Sequence, residues 1–135
     1  MIKISCRYLA LSELPSTFDV TAYKEFVRPL DYDFGLVRGA DYLVIGIVER
    51  RGTIWLYVVP NDGEMELDFV PAVLFVFDKA KIPAGMVVKI VNDQHSSLEI
   101  LPESLASIEG WFERYVDKDE EIVKIIESEF ERQDK

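Results

Sequence analysis

Apolar and polar residues alternate with a period of two over much of the first half of the chain, as they do in half-buried strands. Residues 2–8 show this alternation and predict a first strand. The strongest signal comes from residues 41–48 and 53–59, which are rich in β-branched and aromatic side chains. Residues 49–52 between them are polar and end in glycine, so the two segments predict an antiparallel hairpin.

Three further strands are predicted after this hairpin. The Asn-Asp-Gly run at 61–63 indicates a turn, and acidic and apolar residues then alternate over residues 64–69. Residues 86–91 and 97–101 predict two more strands. The alternating segment would carry its carboxylates on one face, at Glu64, Glu66 and Asp68.

Two segments leave alternatives open. Residues 14–29 combine prolines with a weak helical signal and are interpreted as a loop that can accommodate a short helix. Residues 71–77 form an unbroken apolar run, which periodicity cannot assign to strand or helix. Helix is the preferred interpretation because Pro71 fits the first position of a helix.

From Pro102 onward the apolar period changes to that of an α-helix. One stripe of apolar residues predicts a first helix over about residues 102–115, and a second stripe predicts another over about residues 119–133. Strands followed by helices predict an α+β fold, an antiparallel or mixed β-sheet with two C-terminal helices packed on one face. The helix residues expected in the core are Trp111, Phe112, Ile122, Ile126 and Phe130.

Length and composition fit one soluble domain. The 135 residues, of which 49% are hydrophobic and 30% charged, suffice for a single core, and we expect one domain over residues 1–135. No run approaches the ~20 apolar residues that span a membrane, and the N-terminus lacks the apolar block of a signal peptide. Cys6 is the only cysteine, which fits a reducing compartment. We therefore expect a cytoplasmic protein with no membrane partner.

The net charge is −10, and the excess of acid lies entirely in the second half of the chain. Residues 1–60 hold seven basic and seven acidic residues, whereas residues 61–135 hold eight basic and eighteen acidic residues. Such a surface repels phosphates, so a nucleic-acid partner is not expected. It attracts a basic protein, or it serves only to keep the chain soluble, and charge alone does not separate these interpretations.

Residue types that form catalytic and metal sites are scarce. His95 is the only histidine and lies in a polar loop, so a Ser-His or Cys-His pair and a two-histidine metal site are not predicted. Residues 31–33 and 117–121 place carboxylates at alternate positions, but they lack the glycine and the final glutamate of a calcium loop. We therefore expect no enzyme activity, no cofactor and no metal. A carboxylate-based glycosidase stays open as an alternative because acids are abundant.

The segment from Asp31 to Phe34 interleaves two acids with two aromatics, the composition of an interface anchor with a charged rim. An alternative is that Tyr32 and Phe34 cover the core beneath this loop. The acids around the predicted turn and strand at 61–69 add a charged face to the candidate site. The partner-binding set comprises Asp31, Tyr32, Asp33, Phe34, Asp62, Glu64, Glu66 and Asp68.

Four short segments in the second half of the chain follow one another in an order that is found in a known group of proteins. Residues 70–78 contain a proline, a Leu-Phe pair and an aspartate, and residues 82–88 contain an Ile-Pro pair. Residues 101–105 contain a Pro-Glu pair, and residues 111–113 are Trp-Phe-Glu. This layout, spread over residues 66–133, resembles small bacterial immunity proteins of the polymorphic-toxin and contact-dependent-inhibition type. The resemblance implies a cytoplasmic protein that binds one cognate toxin domain, often a basic nuclease, and blocks its active site or substrate surface.

The sequence therefore predicts a non-catalytic, acidic protein-binding module, and specifically an immunity protein that neutralises a basic, nuclease-type toxin domain. The immunity group shares no functional motif, so the resemblance transfers no binding residue to this chain. A small regulatory adaptor of the cytoplasm is the alternative function, and a carboxylate-based enzyme ranks below both. The oligomeric state is left open.

Overall fold

Seven strands and three α-helices form in the residues that the computed structural model describes, which are 2–62, 66–77, 82–91 and 98–133. The strands are β1 (Ile2–Cys6), β2 (Asp41–Arg50), β3 (Thr53–Pro60), β4 (Asp68–Pro71), β5 (Phe75–Phe77), β6 (Met86–Ile90) and β7 (Leu98–Pro102). The helices are α1 (Glu103–Ala106), α2 (Trp111–Val116) and α3 (Glu120–Gln133). The long connection between β1 and β2 contains 3-10 helices at Leu11–Glu13 and Thr21–Glu25, in agreement with the expected loop and short helix.

The seven described strands form one sheet in which every pairing is antiparallel. Five of them follow the order β4-β3-β2-β1-β5, while β7 pairs with β2 and β6 pairs with β7. This arrangement, with the helices at the C-terminus, confirms the predicted α+β class.

The predicted hairpin is confirmed as β2–β3, and its turn is tighter than the sequence indicates. Pairing continues to Arg50 opposite Thr53, which leaves only Arg51 and Gly52 in the turn. Both turn residues have positive φ, 47° and 84°, as a two-residue turn between twisted strands requires. The side chain of Glu49 accepts a hydrogen bond from the backbone N–H of Gly52 (2.7 Å), which further fixes the turn.

β2 pairs with three strands, and an irregularity at its centre makes this possible. β3 follows one edge of β2, whereas β1 pairs with residues 41–44 and β7 with residues 47–49 on the other edge. The register of pairing shifts between Val44 and Gly46. A Cβ atom at Gly46 would lie 2.6 Å from Cδ2 of Leu101, so only glycine allows β7 to pack closely at this point.

Among the described residues of the predicted strand at 64–69, only Asp68 and Phe69 lie in a strand. β4 begins at Asp68, and the exposed Glu66 and the buried Leu67 precede it outside the sheet. The backbone N–H of Leu67 donates a hydrogen bond to Oη of Tyr115 in α2 (2.9 Å), so a helix holds this segment instead of a neighbouring strand.

The preference for helix over residues 71–77 is correct for a single turn. A 3-10 helix covers Ala72–Leu74, whereas Pro71 is the last residue of β4 and not the first residue of a helix. The rest of the run forms β5, because Phe75 and Phe77 pair with β1 across the sheet. A pairing with the distant N-terminus therefore overrides the local signal.

The predicted first C-terminal helix is divided into α1 and α2. Gly110, with a left-handed φ of 70°, lies immediately before α2 and interrupts the helical backbone. The apolar stripe continues across this interruption, which is why periodicity does not reveal it. The predicted second helix is confirmed as α3. In the core set, Trp111, Ile122 and Ile126 are buried, and Phe112 and Phe130 pack against the core partly buried.

The helices pack on one face of the sheet, which we call the helix face. The ring of Tyr57 in β3 lies 4.7 Å from the ring of Trp111 and 5.0 Å from that of Phe112 between centroids. In the described part of the chain, no helix is both long enough and apolar enough to cross a membrane.

Candidate functional site

The predicted loop Asp31–Phe34 lies beside the first residues of β3. Phe34 is half-buried and its ring meets that of Trp55 at 6.3 Å in a T-shaped contact, as the core-covering alternative expects. Tyr32 packs on Phe34 at 4.9 Å but stays 51% exposed. Asp33 accepts a hydrogen bond from the backbone N–H of Gly35 (2.8 Å), which shapes the loop. The loop thus combines one ring that covers the core with one that is available at the surface.

An arginine-lined pocket of about 330 Å³ adjoins this loop. The guanidinium carbon of Arg50 lies 4.0 Å from the ring centroid of Phe26, 5.1 Å from that of Trp55 and 5.4 Å from that of Phe69. These are cation–π distances, so the guanidinium of Arg50 packs on an aromatic cluster of the same chain. Arg28 lines the same pocket. The surroundings of the loop are therefore more basic than its own two aspartates suggest.

The acidic half of the predicted site lies elsewhere. Asp62 follows the far end of β3, and the five residue steps from Trp55 to Pro60 span about 17 Å at ~3.3 Å per residue. Asp68 is partly buried opposite Val58, and burial, followed by the charge of Glu66, raises the pKa of its carboxyl. The structure therefore does not bring the loop and the Asp62 turn together into one surface.

A groove that the sequence did not indicate lies on the helix face. It has a volume of about 650 Å³ and runs between the β6–β7 pair and the connection from α1 to α2. The carboxylates of Glu99, Glu109 and Glu113 line it, together with the ammonium of Lys89. Its aromatic wall consists of Tyr57, Trp111 and Phe112. The connection that ends at Gly110, a break that periodicity hides, forms one side of this space.

Tyr57 links the groove to the core. Only 8% of this residue is exposed, and its hydroxyl makes no hydrogen bond to any residue of the described part of the chain. Burial raises the pKa of Tyr57, and the charges of Glu99 and Glu113 raise it further. The hydroxyl is therefore a neutral donor that lies within the field of the groove's carboxylates.

A second unpredicted feature is an aliphatic surface on the face of the sheet opposite the helices. Residues that are paired directly across strands share a face. Pairing aligns Val88 of β6, Ile100 of β7 and Ile47 of β2 in one row, and Ile90, Leu98, Glu49 and Ile54 in the next. Val88 is 60% exposed and Ile90 is 66% exposed. We call these six apolar residues, Ile47, Ile54, Val88, Ile90, Leu98 and Ile100, the aliphatic surface.

The described residues hold few groups suited to catalysis. Among residues 2–62, 66–77, 82–91 and 98–133, no three His, Cys, Asp or Glu side chains lie close enough together to hold a metal ion. Cys6 is buried, its Sγ donates to the carbonyl of Tyr8 (3.4 Å), and burial raises the pKa of its thiol. His95 and Glu64 lie outside the described residues.

Comparisons of this chain with family models, with curated proteins and with solved structures find no match.

Proposed function

We propose that this chain is a non-catalytic protein-binding module, and specifically an immunity protein that binds and neutralises a basic, nuclease-type toxin domain. The aliphatic surface is the observation that carries the proposal. The charge of the chain and its resemblance to immunity proteins direct the proposal to a basic toxin.

The aliphatic surface favours a protein as the ligand. Single exposed aliphatic residues are common, but here three exposed residues (Ile54, Val88 and Ile90) adjoin three partly buried ones on paired strands, as is typical of an interaction site. Full burial of one valine or isoleucine side chain gains about 1.5–3 kcal/mol, so a partner that covers several of them binds with useful affinity. The surface is formed by strand faces, which suit another protein better than a small molecule.

The position of the aliphatic surface makes it accessible. Val88 and Ile90 belong to β6, which pairs with β7 on one edge and with none of the other described strands. Farther into the sheet the same face is closed, since Leu56 and Val70 of β3 and β4 are buried. A partner can therefore approach from the β6 side without displacing any described strand.

Charge favours a basic partner. Glu49 lies within the second row of the aliphatic surface, and the exposed Glu103 directly follows β7. Residues 61–135, which include β6 and β7, carry eighteen acidic and eight basic residues. A nuclease that grips phosphates is basic, so an acidic inhibitor gains complementary potential and faster association with it.

The test compares two valines of similar exposure. The tagged chain is co-expressed with the product of the adjacent upstream reading frame, and the dissociation constant of the purified complex is measured by calorimetry. Val88→Asp places a charge within the aliphatic surface and is expected to weaken binding about tenfold or more. Val37→Asp is the matched control, because Val37 is 63% exposed and lies in the β1–β2 connection. Failure to recover a complex, or equal weakening by both substitutions, would contradict the proposal.

A further inference from the structure

The groove on the helix face is lined by charged and aromatic side chains, none of which belongs to the aliphatic surface. Its least ordinary feature is the hydroxyl of Tyr57. A polar group in a residue that is only 8% exposed normally has a hydrogen-bond partner, yet none of the described residues supplies one. Tyr57 lines the groove, so a group bound there can pair with its hydroxyl oxygen.

The electrostatics of the groove favour a cation. Among the described residues, three carboxylates and one ammonium line it, an excess of two negative charges. Lys89 lies directly opposite Glu99 in the β6–β7 pairing, whereas Glu109 and Glu113 belong to the helical side of the groove. The Glu113 carboxylate turns back toward the connection between the helices, with Oε2 3.9 Å from the position of a Cβ on Gly110.

The spacing and the aromatic wall specify what kind of cation fits. In the described part of the chain no three acidic groups converge closely enough for a metal ion, so the carboxylates suit a larger group that reaches several of them. The rings of Tyr57, Trp111 and Phe112 pack on one another at 4.7–5.7 Å and form the wall beside the acids. Phe112 is the partly exposed ring of the three, and a planar cation can stack on it and still donate hydrogen bonds from its edge.

The same protein already shows this mode of recognition. Arg50 lies against Phe26, Trp55 and Phe69 at the other end of the aromatic cluster, where Phe69 and Tyr57 are in ring contact at 4.7 Å. At the Arg50 end the chain supplies its own guanidinium. At the groove end it supplies rings and carboxylates, and the arginine is missing from the lining.

The geometry points to the groove as a recognition site for the guanidinium group of an arginine side chain. The guanidinium would stack on the aromatic wall, donate to Glu109 and Glu113, and donate one N–H to the hydroxyl oxygen of Tyr57. The arginine would come from the basic partner, and to that extent the inference rests on the proposed function.

The test uses the full chain and a small probe of single charge. N-acetyl-arginine-methylamide is titrated into the labelled protein, and NMR follows the backbone amides of Gly110 and Glu113 and the indole N–H of Trp111. The corresponding citrulline compound, which has nearly the same shape without the charge, is the control ligand. Saturable shifts at the groove with arginine and none with citrulline are expected. Equal response to both ligands, or arginine shifts spread evenly over the acidic face of α3, would overturn the assignment.

Three variants identify the residues responsible. Tyr57→Phe and Glu113→Gln are each expected to weaken binding of the arginine probe about fivefold, since each removes one acceptor. Glu131→Gln changes an exposed acid of α3 outside the groove and is expected to have no effect. Tyr57→Phe removes a hydroxyl that bonds to no described residue, so an unchanged spectrum should confirm that the variant is folded. Unaltered probe affinity in both groove variants would remove the site.

The inference and the proposed function can fail separately. If a protein partner binds and Tyr57→Phe leaves its affinity unchanged, the groove does not receive a partner arginine, although the proposed function stands. If the arginine probe occupies the groove but no protein partner is recovered, the proposed function fails and the guanidinium site stands.

Discussion

The β2–β3 and β6–β7 pairs are built from the same kinds of residue and end in different environments. Both are antiparallel pairs rich in valine, isoleucine and leucine. In β2–β3, both faces are covered except near Ile47 and Ile54, and Ile45, Leu56, Val58 and Val59 are buried. In β6–β7, only the helix face is covered, through Leu101, while Val88 and Ile90 are the most exposed members of the aliphatic surface.

The difference shows that an apolar strand is not by itself evidence for a core. Whether it is covered depends on which elements reach it from elsewhere in the chain. β2 and β3 lie in the middle of the sheet, with neighbours on both edges, whereas β6 lies at the border of the described sheet. Substitution of a core residue should therefore lower the free energy of unfolding, whereas substitution of a residue in the aliphatic surface should change it little.

The largest expected effect contrasts Leu56→Ala with Ile90→Ala. Leu56 is buried in the centre of the sheet, and its truncation should leave a cavity that lowers the free energy of unfolding by about 2–5 kcal/mol. Ile90 is largely exposed, so its truncation should change the free energy by no more than about 0.5 kcal/mol. Urea unfolding of both variants measures the contrast. Similar losses would mean that β6 is covered in the free protein, which would also remove the aliphatic surface.

The next prediction tests how closely β7 approaches β2. A Cβ atom at Gly46 would lie 2.6 Å from Cδ2 of Leu101 and 3.2 Å from the carbonyl oxygen of Ile100. Gly46→Ala should therefore destabilise the protein by about 1–3 kcal/mol through overpacking. Leu101→Val removes the δ-carbons, so a double-mutant cycle should show that the two substitutions together cost less than their sum. Strict additivity would mean that the backbone of β7 moves away as a unit.

The smallest expected effect concerns an acid beside the buried hairpin. Asp68 lies opposite Val58, and its carboxyl pKa is raised by burial and by Glu66. An acid with a higher pKa in the folded than in the unfolded chain opposes folding once it is ionised. Stability should accordingly fall as pH rises from near the ordinary value of 3.8 through the raised folded pKa.

Asp68→Asn removes the loss of stability that ionisation of this carboxyl causes. At pH 7 it should raise the free energy of unfolding by less than about 1 kcal/mol, because the group is only partly buried. Thermal unfolding between pH 4 and pH 8 would show the gain at neutral pH and its disappearance in acid. Asp31→Asn in the exposed loop is the control and should be neutral. A lower melting temperature in Asp68→Asn at pH 7 would contradict the prediction.

The elements that sequence reasoning predicted well are those with local signals. The β2–β3 hairpin combines β-branched strands with a glycine turn, and α3 has a continuous stripe of apolar residues. The segment at 71–77 was misjudged because β5 owes its strand conformation to β1, about 70 residues earlier in the chain. The break at Gly110 was missed because the apolar period passes through it unchanged.

The candidate surfaces were harder to predict than the fold. The aromatic and acidic content of Asp31–Phe34 is visible in the sequence, but the adjacent Arg50 comes from β2 and offsets part of the local negative charge. The groove needs Tyr57 from β3, Glu99 from β7 and Glu113 from α2 to meet, which no local pattern encodes. Exposure of Val88 likewise follows from its place at the border of the sheet. Composition predicts an acidic surface without indicating where a partner would bind.

The threefold pairing of β2 also orders the events of folding. Its contacts with β3 cross a two-residue turn and cost little loop-closure entropy, so this hairpin can form early. The pairings with β1 and β7 join residues roughly 40–50 positions apart and need β2 to be in place already. Substitutions in the β2–β3 hairpin should therefore slow refolding, while substitutions in β7 should mainly speed unfolding, a pattern that φ-values from stopped-flow kinetics can confirm or refute. β2, which joins three strands in the folded sheet, would then also be the strand on which the later strands assemble.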